Sequence, residues 1–591
     1  MTVEQNPLLA LKQELKSLKI DYFLLPNNDS FLSEYLPESE KRLEFISSFS
    51  GSNAFIIINS SNDKSVFFTD GRYTLQSRQQ IDQKQFVIYN LTDCTPLKWL
   101  SDNVKEKKTV GFDPNLHSIN EIKSYQKHNI QLQTIEVNPV DKIWKNRPAS
   151  KNSKVIIQPL KYTGKWAKEK ISDITSQFTK GTNALILNHP PSICWLFNIR
   201  ALDIKYTPLA LCQAIIYKDQ NADLFIDPNR LDSKVKKHLS KVRIFNPHQF
   251  EERLKKIRKQ KVEIDPYLSN YNIYLQLVKN NIDINPQTDP CLIKKACKNK
   301  TEINGTIKAH QEDGLAVTKF IFWLEKAVKN KEKISEISAA EKLLEFRKIN
   351  KNFLYPSFAT ISGFGSNGAI VHYSVTEKSN KQFKSNSLYL FDSGGQYPYG
   401  TTDITRTVAI GKPTKEQISD FTRVLKGHIN IARAKFPNGT SGSALDSIAR
   451  YDLWQDQKDY GHGTGHGVGS FLSVHEGPQS ISKAINPTAF KEGMILSNEP
   501  GYYREGEYGI RIENLMIVKK TSSSFLNFQT ITLAPIDYKL IDFKMLTYPQ
   551  RKWLQDYHLE IYQKLSDNLD KDERLWLKKI VEFYKDKLLN T

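Results

Sequence analysis

Leu388–Asp403 reads LYLFDSGGQYPYGTTD. Apolar residues lead into Asp392, a Gly-rich turn follows, and Asp403 opens a second strand-like run, ITRTVAI. Two strands joined by such a loop bring both carboxylates toward one point. Two acids held together repel unless a proton or a cation lies between them. Carboxylate oxygens suit a divalent ion such as Mn²⁺ or Mg²⁺, so further ligand-type residues are expected elsewhere in the chain.

Five other stretches carry such residues. GHGTGHGVG holds His462 and His466, VHEGP holds His475, and MILSNEPGYY holds Glu499. GIRIENLMIV holds Glu513 in a strand-like alternation, and GAIVHYS, upstream, holds His372. His462 and His466 have the spacing of a helical HExxH zinc site. Gly-Thr-Gly between them disfavours helix, and no Glu follows His462. The run also lacks the P-loop pattern of a phosphate cradle. A strand or loop whose backbone passes close to a ligand or metal fits better. Each residue alone has an ordinary explanation: a hydrogen-bonded histidine, a solvated turn at Glu499, an Asx turn at Asp392. Together, two Asp, one ligand-type His and two Glu make an oxygen-rich cage with one nitrogen. That set suits two hard or borderline divalent ions, Mn²⁺ best, with carboxylates bridging them.

The chain around these motifs has 591 residues, which is too long for one core, and two to four domains are expected. Its 39% hydrophobic and 11% aromatic content is globular. Five cysteines, an odd number without a CxxC, argue against a disulfide framework or a cysteine-based zinc site and fit a reducing compartment. The N-terminal MTVEQNPLLALKQELKSLKI lacks the apolar core of a signal peptide and reads as an amphipathic helix. No apolar run is long enough to span a bilayer, so a soluble, cytoplasmic protein with no membrane partner is expected. The net charge of +20 raises nucleic-acid binding. The basic stretches Lys105–Lys108, Lys234–Lys237 and Lys255–Lys261 are spread out and not interleaved with aromatics. A solvated Lys-rich surface is the better reading, and no nucleic-acid partner is expected.

In chain order, residues 1–143 read as a compact α/β domain. Ala54–Asn59 and Ser65–Thr69 are strands about a polar turn, and a helix-like run follows TDGRY. WKNRPASKNSK, residues 144–154, is a plausible linker. Residues 155–289 repeat the α/β texture, with TNALILN and LALCQAIIY as strands and CWLFNIR as aromatic core. DINPQTDP, residues 283–290, marks a second boundary. From Thr301, read as the cap, a long helix runs with Val317, Ile321, Leu324 and Val328 at helical spacing. Thr414–Gln417 is a capping box before Ile418, Phe421, Leu425 and Ile429, which gives residues 290–540 an α+β layout. Residues 541–591 form a helical extension with two stripes, Trp553/Leu554/Tyr557/Ile561/Leu565 and Leu575/Trp576/Ile580/Phe583. These stripes serve either as core or as an aromatic face against a second subunit.

The motifs FDSGGQYPYGTTDITRT, GHGTGHGVGSFLSVHEGP and NEPGYYREGEYGIRIEN resemble the pita-bread metallopeptidases, the family of aminopeptidase P, prolidase and methionine aminopeptidase. Within it the match is to the long, cytosolic type of Xaa-Pro aminopeptidase. The resemblance extends along nearly the whole chain, through FFTDGRYTLQ, NPVDKIWKNRP, CWLFNIR, CLIKKACKNKTEINGTIKAH and WLQDYH. It implies two N-terminal α/β creatinase-like domains, a pita-bread α+β catalytic domain and a C-terminal helical extension that supports a homodimer. It also implies that Asp392, Asp403, His466, Glu499 and Glu513 are metal ligands, with Asp403 and Glu513 bridging two ions. His372, His462 and His475 match the family's active-site histidines, and Arg511 matches an arginine supporting the bridging acid. Asn498 departs from the family's SDEPG and should tune the site. The implied activity is release of the N-terminal residue from short peptides with proline second. A hydroxide shared by the two ions would attack, Glu499 would act as base, His475 would stabilise the oxyanion, and His372 and His462 would hold the proline side. Alternatives are a prolidase-type dipeptidase or an inactive pita-bread binding protein.

Overall fold

A computed structural model describes residues 6–104, 107–384 and 386–590. The first five residues of the N-terminal amphipathic stretch, and Lys105 and Glu106 of one basic run, lie outside these ranges. The chain forms two compact units, one of residues up to 159 together with 165–291, the other of 160–164 together with 292–591. No helix among the described residues is long and apolar enough to cross a membrane.

The first unit holds two six-stranded mixed sheets. In the first, Ala54–Asn59 pairs antiparallel with Tyr22–Pro26 and with Ser65–Thr69, while the outer strands run parallel. The unbroken apolar run AFIIIN has a direct cause. Ile56 and Ile58 join a cluster with Phe23, Leu25 and Phe67, whereas Phe55 and Ile57 join another with Leu24, Val66 and Phe68. Successive side chains point to opposite faces, and both faces are covered. The second sheet contains Thr182–Leu187 and Gln213–Tyr217 as neighbours. Of LALCQAIIY only Gln213–Tyr217 is strand; the preceding residues run irregularly into it. CWLFNIR lies largely on a helix, Pro190–Phe197, whose Cys194–Phe197 are all buried, and Asn198 at φ 54° ends it.

In the second unit the elements that position the site are, in order, α1 (Lys300–Lys329), α2 (Glu336–Lys348), β1 (Ile361–Phe364), β2 (Ser387–Ser393) and β3 (Ile404–Ile410). They continue with α3 (Lys415–Ala432), β4 (Lys435–Pro437), α4 (Gly442–Trp454), β5 (Ile495–Asn498), β6 (Gly501–Arg504), β7 (Tyr508–Arg511), β8 (Asn514–Lys520) and β9 (Phe525–Thr530). Helices α5 (Tyr548–Leu565) and α6 (Lys571–Leu589) close the chain. One sheet runs β1-β2-β3, a second β4-β9-β8-β5, and β6 pairs with β7. On β2, Tyr389 and Phe391 pack with Val317, Phe320 and Leu324 of α1. Leu388 belongs to the cluster of Phe421, Val424 and Leu425 on α3, so the alternation along β2 serves a helix on either face.

Three local expectations change. Helix α1 is capped by Asn299, whose side chain accepts from Thr301 N and Glu302 N while Glu302 returns to Asn299 N. Asn is the stronger cap, and Thr301 becomes a helical residue. Thr414 does cap α3, with Gln417 completing the box. On α6 the buried stripe is Leu577, Ile580 and Tyr584, with Leu575 51% exposed. The box from Asp570 to Glu573 sets that phase. Glu513 is not inside a strand: it stands in the break between β7 and β8, where the chain leaves one sheet for another.

Candidate metal centre

Strands β2 and β3 are antiparallel neighbours, with Asp392 opposite Thr405. Asp392 is therefore near the end of β2, and Asp403 stands immediately before β3. The backbone N–H of Glu513 donates to Thr405 O at 3.1 Å, which sets the third acid beside them. Thr405 also donates from Oγ1 to Glu513 Oε2 at 2.9 Å.

The histidine arm arrives through glycines. Gly465 and His466 pair with Ser480 and Ile481 as a short ribbon. A Cβ on Gly465 would stand 2.1 Å from Ser497 O, and one on Gly467 would stand 2.0 Å from Glu476 O. The run is glycine-rich because its backbone is pressed against β5 on one side and the His475–Glu476 loop on the other. His466 N donates to Ser497 Oγ at 2.9 Å, and Ser497 Oγ meets Glu499 Oε1 at 3.1 Å. Nδ1 of His466 faces the Gly467 carbonyl at 2.9 Å, so Nδ1 carries the proton. The lone pair is thus left on Nε2, which lies 3.6 Å from Asp403 Oδ2 and 3.4 Å from Glu499 Oε1.

One ligand atom each from Asp403, His466 and Glu513 lies within 4.8 Å of the others. Burial pushes the Asp403 carboxyl well above the usual range, and Glu513, Asp392 and Glu499 push it further. Burial likewise raises Glu513, aided by Glu499 and Asp392. Glu499 is pushed up to about 7 by burial, against Arg511 and with Asp392. Oδ1 of Asp392 and Oε1 of Glu513 are buried with no hydrogen-bond partner among the described residues. A set of mutually repelling buried acids, unpartnered oxygens and an imidazole lone pair fits divalent cations.

Arg511 forms its direct ion pair with Asp392, Nη2 to Oδ2 at 2.8 Å. It reaches Glu513 only through Thr405, to which its Nε donates at 3.1 Å. Nη1 donates to Tyr503 Oη at 2.6 Å, and Tyr503 Oη lies 2.8 Å from His462 Nε2. His462 Nδ1 faces the Gly463 carbonyl, so its Nε2 accepts from the phenol. Burial pushes that phenol up to about 12, opposed by Arg511. His475 stands with its ring 4.3 Å from that of His466. His372 is half-buried and follows Val371, whose carbonyl accepts from Arg511 at 3.4 Å. His462, His466, His475 and Glu499 are all half-buried, whereas Asp403, Arg511 and Glu513 are sealed. The partly exposed side of the cluster is therefore the side of the histidines and Glu499.

Asn498 does not face the cluster. It alternates with Ser497 on β5, and its Nδ2 donates to the His428 carbonyl at 2.9 Å. Sequence reasoning also passed over Thr405, Tyr503, Ser497 and Glu476. Glu476 is 4% exposed and pairs with buried Lys295 at 2.9 Å and Lys298 at 2.5 Å. Its backbone N–H donates to Gly467 O, which fastens His475's loop to His466's. Its place in VHEGP was the available signal.

Residues 305–520 match the model of metallopeptidase family M24, and residues 524–583 match the C-terminal region of that peptidase. Residues 7–145 and 146–302 each match a creatinase/prolidase N-terminal domain. A probable Xaa-Pro aminopeptidase P of Paracoccidioides brasiliensis (strain Pb03) is 37% identical over 613 residues, covering 98% of this chain and 99% of its own. Aminopeptidase P1 of Lotus japonicus is 34% identical over 658 residues, at 98% and 99% coverage. Among solved structures, an X-prolyl aminopeptidase from Caenorhabditis elegans superposes with a TM-score of 0.93 at 32% identity, covering 98% of this chain and 100% of that one. It is described as a cytosolic enzyme with a di-nuclear active site. By these matches, which run the length of the chain, the protein is a member of metallopeptidase family M24, of the Xaa-Pro aminopeptidase P type.

Proposed function

We propose that the protein removes the N-terminal residue from short peptides whose second residue is proline. The observation that carries this reading is the convergence of Asp403, His466, Glu499 and Glu513 with Asp392 beside them, in a chain similar throughout to Xaa-Pro aminopeptidases. Asp392, Asp403, His466, Glu499 and Glu513 would hold two divalent cations, Mn²⁺ by a donor set of carboxylates with one imidazole. When bound, such ions supply Lewis acidity toward a peptide carbonyl and lower the pKa of water.

The chain's own residues do the rest. Glu499, ionised once cations offset its acidic neighbours, accepts the proton of the attacking water and returns it to the proline nitrogen as the bond breaks. His475 donates to the oxygen that gains charge. His462, fixed by Tyr503, and His372 border the proline side of the substrate. Arg511 holds Asp392 in place and, through Thr405, Glu513. By its similarity to a protein described as cytosolic, the enzyme works in the cytoplasm. The resemblance of WLQDYH to the family's C-terminal extension supports a homodimer.

The test is hydrolysis of Arg-Pro-Pro and of Gly-Pro by protein stripped with chelator and reloaded with Mn²⁺. Release of arginine only after reloading is expected. Cleavage of Gly-Pro alone would make it a dipeptidase, and no cleavage of either would make it a binding protein.

A further inference from the structure

Arg406 is 1% exposed and forms no ion pair among the described residues. Its guanidinium is satisfied by neutral groups. Nε donates to Pro535 O at 3.1 Å, and Nη1 donates to Thr405 O at 2.9 Å and Glu513 O at 2.6 Å. Nη2 donates to Asn514 Oδ1 at 2.8 Å, Ala534 O at 2.8 Å and Tyr557 Oη at 2.9 Å. Burying an unpaired cation is costly, so so full a set of acceptors is needed for it to stay there.

The position of Arg406 follows from strand periodicity. On β3, Thr405 and Thr407 point toward Arg511 and Glu513, which they touch. Arg406 points to the opposite face, behind the centre. From there it grips the carbonyls of Thr405 and Glu513 together with the side chain of Asn514, the residue after Glu513. Thr405 is also the residue whose hydroxyl donates to the Glu513 carboxylate. One buried guanidinium thus sets the backbone on both sides of that hydrogen bond.

Tyr557 completes the arrangement, and it comes from α5 of the C-terminal extension. It is 4% exposed, and its Oη also lies 3.0 Å from Thr532 O, 3.0 Å from Ala534 O and 3.3 Å from Asn514 Oδ1. Trp553 stacks on the Tyr557 ring at 5.0 Å and holds it in place. We propose that Tyr557 is a positioning residue for the metal-site acid Glu513, acting through Arg406, so that the C-terminal extension is a structural part of the metal centre. This rests on the reading of Glu513 as a metal ligand given above. Groups that hold a ligand in place typically change metal affinity by roughly 10–100-fold when removed.

The test is Mn²⁺ titration of the chelator-stripped full chain by calorimetry, comparing wild type, Tyr557→Phe and Tyr584→Phe. Tyr584 is a matched control: it is buried in the same core and donates to Ile536 O at 2.9 Å, but it does not bond Arg406. Tyr557→Phe should weaken Mn²⁺ by about tenfold, the low end of that range, with Tyr584→Phe within twofold of wild type. An unchanged affinity in Tyr557→Phe, or equal weakening in both variants, would overturn the inference. Should Tyr557→Phe not be recovered folded, Arg406→Lys takes its place, and unchanged affinity there overturns the inference equally. A wild-type chain that binds no Mn²⁺ would instead bring down the metal reading on which the inference stands.

Discussion

Glu476→Gln tests how the histidine loop is held. The carboxylate is shared by Lys295 and Lys298, and all three side chains are 1% exposed. The cluster holds two positive charges and one negative. Glu476→Gln removes the carboxylate that both lysines share and sets a neutral amide between two buried ammonium groups. Breaking a buried pair in this way costs about 3–5 kcal/mol. Lys298→Met removes one contact of the same pair but leaves a one-to-one Lys295–Glu476 pair. Its cost should be that of a single charged hydrogen bond, about 1.5–3 kcal/mol. At ~2.1 cal/mol/K of unfolding entropy per residue, a unit of about 300 residues shifts by roughly 1.6 °C per kcal/mol. Glu476→Gln should therefore lower the melting temperature of the catalytic unit by about 5–8 °C, and Lys298→Met by about half of that. Scanning calorimetry of the Mn²⁺-loaded full chain reads both. Burial alone would raise the Glu476 carboxyl, but Lys295 and Lys298 outweigh it and hold it below its usual 4.5. A depressed acid stabilises above its unfolded value and loses that contribution as pH falls through the folded one, so the gap between wild type and Glu476→Gln should narrow in acid. A shift under 2 °C for Glu476→Gln, or an equal or larger loss in Lys298→Met, would refute the charge argument.

Three further outcomes are expected. Glu499→Gln should keep the fold by circular dichroism and lose at least about 100-fold in kcat, and undiminished turnover would remove Glu499 from the proton path. In metal-free protein the raised carboxyls of Asp403, Glu499 and Glu513 bind more protons folded than unfolded, so stability falls as pH rises from about 4.5 toward 7. The melting-temperature gain from Mn²⁺ should consequently be larger at pH 8 than at pH 5, and a gain independent of pH would show that those acids do not repel in the empty site. Burial holds His428 and His558 down to about 3, so the unfolded chain binds protons first and stability declines as pH drops below 6.5. Each contributes about 1.4 kcal/mol per pH unit, and His558→Gln should flatten the melting temperature's dependence on pH between 6 and 5.

The candidate metal ligands were legible because chemistry fixes their types. Asp392 lies at the end of β2 and Asp403 just before β3, with the short strands Gly395–Tyr397 and Gly400–Thr401 between them, and few residue types other than Asp, Glu and His give that donor set. The layer behind them was not legible. Arg406 reads as an ordinary member of ITRTVAI, and all its acceptors but the Thr405 carbonyl lie at 513, 514, 534, 535 and 557, out of reach of any local pattern. The alternation in GIRIENLMIV was real, but it runs through a change of partner: β7 pairs with β6, and β8 with β5 and β9. Periodicity reports which face is apolar and is blind to which strand lies alongside, so Glu513 looked embedded when it stands in a break. The misplaced stripe on α6 has a similar cause, since Trp576 and Phe583 are only partly buried beside the true seam of Leu577, Ile580 and Tyr584.

Asn498 shows how far adjacency in sequence misleads about a site. It precedes Glu499, and replacing it with the family's acid suggests a direct electrostatic effect. Strand alternation sends its side chain the other way, where Nδ2 donates to His428 O and Oδ1 is buried without a hydrogen-bond partner. Asn498→Asp removes the donor and sets a carboxylate against a carbonyl in a sealed pocket. The uncompensated buried charge should cost about 3–5 kcal/mol of stability, with kcat changed by less than about threefold. Ser497→Ala should act in the opposite sense. It removes the hydroxyl that accepts from His466 N and meets Glu499, so its effect should fall on turnover and metal affinity more than on melting temperature. Parallel measurement of kcat and melting temperature in the two variants decides the matter. If Asn498→Asp proves the more damaging to turnover and Ser497→Ala the more damaging to stability, the assignment of faces along β5 is wrong.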